Sequence, residues 1–546
     1  MQNVDIMTDF DFIPFSDGVD MRAVSEEAFN RLSFTFTEAH IKRLISAALS
    51  PDAGENDRYV CASLLKNADI AAKGSFPLCQ DTGIATVFGW QQGSAVLAAA
   101  EQTGSGDVYD DISAGIAHVY ESRRLRYSTA CPSSFYDEYD PKNNMPAQIA
   151  LFNGKCSLAP VPPFALRAAE KCGSQALPMI FTAKGGGSSN KTSFVSGTKA
   201  YLASERFRAF LRDEISHFGT SACPPYTIAV VAGGLSPEQN LLTLKLATCG
   251  AYDDMTYEPN PAGFRDRALE EEVMQIAKET GFGAQFGGTQ FALEAIVIRL
   301  SRHGASCPLS AGVSCSAHRN VKAVVTEKGF YVEKTCIEPS LVPGFTEAVQ
   351  AAEAGACCAP SESAAVHQID TSAGMQGVLG ALRGAKPGER VLISGDILVA
   401  RDAAHARWMA LVDSGKPLPD YCTRYPICYA GPARTPDGAV IGSFGPTTAG
   451  RMDVYAELLM SRGAALVTLA KGNRSREWTS ACEKYGAFYL GTPGGIAALI
   501  ASSYITAQKI IDYEELGMEA VRLVTVQNLP CFVITNDKGE DFYTAL

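Results

Sequence analysis

The sequence predicts an α/β protein of two domains, with an α+β N-terminal region and a smaller C-terminal α/β domain. Three observations carry this. The chain has 546 residues, more than one core normally serves. Beyond Val391, short apolar strand patterns alternate with helical ones, and polar glycine-rich loops stand at the strand ends. Between Glu347 and Gly374 the composition shifts to Ala, Ser, Gly and Glu, which reads as a boundary. The expected division is an N-terminal extension over 1–35, a main domain over 36–345, a linker over 346–385 and a C-terminal domain over 386–546.

The bulk composition narrows the function classes. A hydrophobic fraction of 46% and a charged fraction of 19% fit a folded globular chain and not a disordered one. Net charge is −12 with no Lys/Arg block, which argues against nucleic-acid and anionic-membrane partners but leaves room for a small anion in a locally basic pocket. The 16 cysteines include no Cys-x-x-Cys pair, so zinc ribbons and thioredoxin-type sites are not expected. The acidic start (Asp5, Asp9, Asp11, Asp17, Asp20) is unlike a transit peptide, and no apolar run is long enough to span a bilayer. Free thiols in a reducing, cytoplasmic compartment are the expectation.

Taken in order, Thr37 reads as the N-cap of a helix through Glu38–Ile45, with His40 on its surface. A second helix is expected over Asp57–Asn67, and a buried strand over Ile84–Phe88. Ala114–Tyr120 is a short helical pattern leading into Arg123, Arg124 and Arg126. Strands are expected over Thr227–Ala232 and Ala295–Ile298. In the second region the pattern reads as strand Val391–Ser394, turn Gly395–Asp396, strand Ile397–Ala400, then a helix opened by Arg401. Ala464–Ala470 and Ala487–Leu490 read as further buried strands, and Ser475 as the cap of the helix between them.

Several loops carry chemistry-bearing residues. Phe76-Pro77-Leu78-Cys79-Gln80-Asp81-Thr82-Gly83 sets a thiol beside an amide and a carboxylate in a turn, where it reads either as a metal ligand or as a half-buried loop thiol. Lys184-Gly185-Gly186-Gly187 precedes Lys191-Thr192, but Asn190 stands where a phosphate loop needs glycine. Its backbone N–H groups still offer an anion a close approach. Cys223 sits before Pro224 and Pro225 at a strand entrance. His303 lies between a strand and the cysteines Cys307 and Cys315. Arg401 at a helix N-terminus favours an anion twice, through its guanidinium and through the helix dipole.

Together these segments resemble the class I, iron–sulfur-dependent fumarate hydratases over nearly the whole chain. The likeness rests on Cys79-Gln80-Asp81-Thr82-Gly83, Lys184-Gly185-Gly186-Gly187, Ala222-Cys223-Pro224-Pro225-Tyr226, Arg302-His303-Gly304 and Val313-Ser314-Cys315-Ser316-Ala317. Beyond the boundary it adds Arg401-Asp402-x-x-His405, Gly445-Pro446-Thr447-Thr448-Ala449-Gly450-Arg451 and Lys471-Gly472-Asn473-Arg474-Ser475. Thr227, Thr289, His318 and Ala400 depart from the pattern, and none of them is a proposed ligand or substrate binder.

The resemblance implies a [4Fe–4S] cluster on Cys79, Cys223 and Cys315, with one iron open as a Lewis acid. It implies interconversion of (S)-malate with fumarate and water. Thr447 is implied as the base, prepared by Asp81, with His303 as a second proton-handling residue. Arg126, Arg401, Arg451 and Lys471 are implied as carboxylate binders, with Gln80, Asp81, Thr447 and the backbone at Gly186 completing the substrate cradle. A homodimer is implied, as is a swivelling C-terminal domain that closes the site against the cluster domain. The alternatives are a dehydratase of tartrate- or mesaconate-type dicarboxylates and, in another class, a non-catalytic iron–sulfur sensor of dicarboxylates.

Overall fold

The computed structural model of the chain describes residues 6–91, 93, 95–153, 158–173, 175–357 and 366–544. Helices and sheets are mixed throughout, as an α/β fold requires, and the strands form three main sheets.

A six-stranded sheet runs in the order Phe10–Pro14, Gly329–Glu333, Asn320–Thr326, Leu177–Lys184, Ile84–Gln91 and Gln148–Asn153. A five-stranded sheet runs Thr192–Thr198, Ser306–Ser314, Tyr226–Gly234, Ala292–Arg302, Phe264–Arg265. Tyr226–Gly234 is buried at every position, which is why it reads as a continuous apolar run without alternation. The stretch expected as an extension is woven into this region. Phe10–Pro14 pairs antiparallel with Gly329–Glu333, and helix Met21–Phe34 buries Val24, Ala28, Phe29 and Leu32. Glu26 and Glu27 lie on the face of that helix turned away from the buried residues.

The C-terminal sheet has seven strands, and Arg390–Val399 pairs with both Ile427–Cys428 and Val521–Thr535. That second pairing closes five strands on themselves and removes their edges. Arg390–Val399 is one strand where the sequence suggested two. Gly395, at φ +100°, absorbs the break as a register shift against Val521–Thr535. The stretch expected as a linker is also structured. It holds helix Phe345–Cys357, strand Val366–Asp370 on the edge of the C-terminal sheet, and helix Gly374–Leu382. An Ala-, Gly- and Glu-rich composition serves a helix as well as a linker. Cys358, next to Cys357 in the sequence, lies outside the described residues.

The core is continuous from helix Glu38–Leu49 into the C-terminal sheet. Polar contacts fix the two regions to each other. Asn67 Nδ2 donates to the Leu78 carbonyl (3.0 Å), and its Oδ1 accepts from Ala498 N (2.8 Å) and Leu499 N (3.1 Å). Ser443 Oγ donates to the Pro77 carbonyl (2.7 Å). The cysteine turn that begins at Pro77 is thereby held from both sides. His40 is buried here and not on the surface: its Nε2 donates to the Ser316 carbonyl (2.8 Å) and its ring stacks on His318. A helix pattern alone does not reveal that another strand end covers that face.

Candidate active site

Eleven of the twelve side chains or backbone groups singled out in the sequence face one cavity of ≈ 980 Å³ between the two regions. The turn Leu78–Gly83 contributes Cys79, Gln80 and Asp81, and the strand entrance before Tyr226 contributes Cys223. Cys315 follows the strand Ser306–Ser314. Arg126 follows helix Val108–Ser122, and Gly186 opens the short helix after Leu177–Lys184. From the other side come Arg401, which is the N-cap of helix Asp402–Asp413, together with Thr447, Arg451 and Lys471. His303 is the exception. It is exposed on the turn between Ala292–Arg302 and Ser306–Ser314, its Nδ1 accepting from Ala305 N (3.3 Å).

The three thiols sit in different mounts. Cys79 is buried, and its Sγ lies 3.4 Å from Gln80 Oε1. Cys223 takes a left-handed backbone, φ +62°, uncommon outside glycine. It is tied down by Cys223 N to the Thr220 carbonyl (3.1 Å) and by Ser316 N to its own carbonyl (3.0 Å). That last bond joins its loop to the one bearing Cys315. Gly494 lies so close that a Cβ there would come within 2.3 Å of the Cys223 sulfur, so no larger residue fits. Burial pushes the Cys79 thiol up and the Cys223 thiol to about 11, against the pull of nearby cations. Metal-free, both are protonated near neutrality, so a metal bound there must displace protons. Among the described residues no three His, Cys, Asp or Glu side chains converge tightly enough for a single metal ion. One tetrahedral ion needs its sulfurs within about 4 Å of one another. Three thiols spread around one cavity suit a larger cluster instead.

Lys471 Nζ donates to Cys223 Sγ at 2.8 Å. Burial alone would lower its pKa, but Cys223, Cys79 and Cys315, in their thiolate forms, outweigh that and raise it above the ordinary lysine value. Asp81 is half-buried. Burial pushes its carboxyl up, but Arg126, Arg319 and the N–H groups of Gly186 and Gly83 bring it down to about 2. The contacts are Arg126 Nη2 to Oδ1 at 3.1 Å, Gly186 N to Oδ2 at 3.0 Å and Gly83 N to Oδ1 at 3.2 Å. Arg126 also donates to the Gly431 carbonyl (3.2 Å) and to Ser128 Oγ (3.0 Å). Thr447 Oγ1 accepts from Arg451 Nη2 at 2.6 Å, and Arg451 Nη1 is 3.4 Å from Asp402. Asp81 and Thr447 line the same cavity without a hydrogen bond between them. Gln80 is buried and donates to the Pro446 carbonyl (3.3 Å), bridging the two regions.

Two cavity residues carry no signal that the sequence reading used. Glu519 pairs with Arg401 Nη2 and accepts from Ala403 N at 2.9 Å, placing an internal carboxylate at that helix N-terminus. Arg319 is buried and lines the cavity four residues beyond Cys315. Its position just after a loop cysteine, entering strand Asn320–Thr326, was the only available hint.

The family model described as "Fumarate hydratase (Fumerase)" matches residues 22–324, and the one described as "Fumarase C-terminus" matches 345–546. A protein of Escherichia coli (strain K12) named "Fumarate hydratase class I, anaerobic" is 42% identical over 522 residues, 95% of this chain and 89% of its own length. A Leishmania major protein named "Fumarate hydratase 1, mitochondrial" is 40% identical over 534 residues, 97% of this chain and 91% of its own.

Proposed function

The chain belongs to the class I fumarate hydratases and is an enzyme of the hydro-lyase type. From that premise we propose that it interconverts (S)-malate with fumarate and water, and that Cys79, Cys223 and Cys315 hold a [4Fe–4S] cluster. One observation carries the reading: three thiols of separate loops share a cavity with four cations suited to a dianion. The glycine cradle at Gly494 and the ammonium of Lys471 beside Cys223 support it, since both leave space and positive charge for anionic sulfur. When bound, a cluster on three protein thiolates supplies a Lewis acid for the departing hydroxyl.

The remaining work falls to the side chains. Arg126, Arg401, Arg451 and Lys471 bind and orient the two substrate carboxylates, with Gln80 and the Gly186 backbone at their side. Thr447 takes the C3 proton. The Arg451 N–H on its oxygen stabilises the deprotonated hydroxyl and leaves that oxygen's other side free. Asp81 is the anion that prepares Thr447. Arg126 Nη2 holds Asp81 Oδ1. A substrate carboxylate that engages Arg126 weakens this hold and raises the affinity of Asp81 for a proton when proton transfer needs it. His303 is exposed on its turn and does not line the cavity of the single chain. The homodimer and the reducing cytoplasmic setting expected from the sequence remain part of this proposal; the thirteen free cysteines among the described residues suit such a compartment.

Anaerobic turnover of (S)-malate, fumarate, L-tartrate and methylfumarate by the iron-loaded protein tests the substrate. The reading expects malate and fumarate to give the highest kcat/KM. Preferred turnover of tartrate or methylfumarate would reassign the substrate, and binding without turnover would make the protein a sensor.

A further inference from the structure

We infer that Arg319 is a fifth cation of the substrate site and binds a carboxylate of the C4 dianion directly. The inference rests on the reading of the cavity as a dicarboxylate site and adds a residue to it. Each of the four cations proposed above as carboxylate binders already has an anionic or sulfur partner in the chain. Arg126 has Asp81, Arg401 has Glu519, Arg451 has Asp402, and Lys471 has the Cys223 sulfur. Arg319 has none: among the described residues no carboxylate lies within 4 Å of it. It is 4% exposed, lines the cavity, and its Nε is a buried donor with no partner.

Burial strips water from that guanidinium and no hydrogen bond replaces it at Nε; the Asp81 carboxylate acts on it only from beyond ion-pair distance. An anion entering the cavity removes that penalty. Arg319 is also held in place before any ligand arrives. Its carbonyl accepts from Ala183 N (3.1 Å) and Thr182 Oγ1 (3.1 Å), anchoring it to the strand Leu177–Lys184. A planar fork held by its own backbone and lacking a partner is suited to a carboxylate, which accepts two parallel N–H bonds.

The test is binding of succinate, a C4 dianion with neither hydroxyl nor double bond, to the anaerobic iron-loaded holoenzyme by calorimetry. Iron content and thermal midpoint are measured on the same samples. Arg319→Gln is expected to weaken succinate binding about ten- to a hundredfold with iron content unchanged, the range for loss of a charge-assisted pair. Arg319→Lys keeps the charge and loses the fork, and is expected to fall between. If Arg319→Gln does not fold, Arg319→Lys decides alone through a dissociation constant at least severalfold higher. A succinate dissociation constant within twofold of wild type in a folded variant overturns the inference. So does a variant that loses iron while the fraction still loaded binds succinate normally, since Arg319 would then serve the cluster. Failure of the wild-type holoenzyme to bind succinate or turn over malate would instead sink the dicarboxylate reading itself.

Discussion

Replacing Arg126 by Gln removes the cation that both orders Asp81 and faces the proposed substrate. Arg126 has five N–H donors, and three contacts in the chain use them: Asp81, the Gly431 carbonyl and Ser128. The spare donors are those available to a substrate carboxylate. A hydrogen bond to a charged group contributes about 1.5–3 kcal/mol, so kcat/KM for malate should fall about 10- to 150-fold. Stability should fall as well. A carboxyl brought from 3.8 to about 2 corresponds to about 2.5 kcal/mol left after the opposing cost of burial has been met by Arg126, Arg319 and the Gly186 and Gly83 N–H groups. Arg126 is the largest of these favourable contributions, so its loss should cost at least about 1 kcal/mol. Because the folded pKa is the depressed one, this contribution is full above about pH 4 and is lost as the pH falls toward 2. Anaerobic initial rates, with iron content as control, and thermal melts from pH 7 down measure both effects. A fully iron-loaded variant with kcat/KM within twofold of wild type would refute the reasoning, as would a stability loss that persists unchanged at pH 2.

Other expectations follow from the same geometry. Glu519→Gln removes the internal carboxylate from Arg401, so KM for malate should fall about three- to tenfold; an unchanged or higher KM would show that Glu519 does not compete for that subsite. Asn67→Ala deletes a buried amide that caps helix Ala497–Ser503 and holds the Leu78 carbonyl. It should cost about 2–4 kcal/mol in denaturant melts, and a loss below about 0.5 kcal/mol would contradict its role as a tie between the regions. Burial lowers His405 to about 4, its ring packed among Trp408, Tyr429 and Tyr455. Its neutral form therefore contributes stability that is full above pH 6.5 and lost as pH falls through 4, at most about 3 kcal/mol. His405→Asn should flatten the stability curve between those values, and an equally steep curve would count against it.

Much of the candidate site is legible because its residues stand in turns that punctuate the sequence. Cys79 sits between Pro77 and Gly83, Cys223 before two prolines, and Thr447 after Gly445-Pro446; such turns expose side chains at strand ends, where α/β folds collect chemistry. The proposed ligand set is not legible from spacing, since Cys131, Cys307 and Cys428 also stand in turn-like settings; it comes from the family likeness. Cys428 and Cys307 are buried in strands, away from the cavity. Arg319 and Glu519 escaped notice because only tertiary contacts bring them to the cavity. His40 was misplaced for the same reason: its helix face is covered by a loop 276 residues away. The N-terminal and boundary stretches misled through composition, acidic in one case and Ala/Gly-rich in the other. Neither composition says whether a neighbouring sheet has an edge to be filled.

The most direct measurement is iron and acid-labile sulfide per chain in protein purified without oxygen, for wild type, Cys79→Ser and Cys61→Ser, each assayed with malate before and after exposure to air. The account predicts about four irons and four sulfides in wild type and in Cys61→Ser, with activity lost in air. It predicts neither a cluster nor activity in Cys79→Ser. A colourless, iron-free wild-type protein that hydrates fumarate at full rate would contradict it.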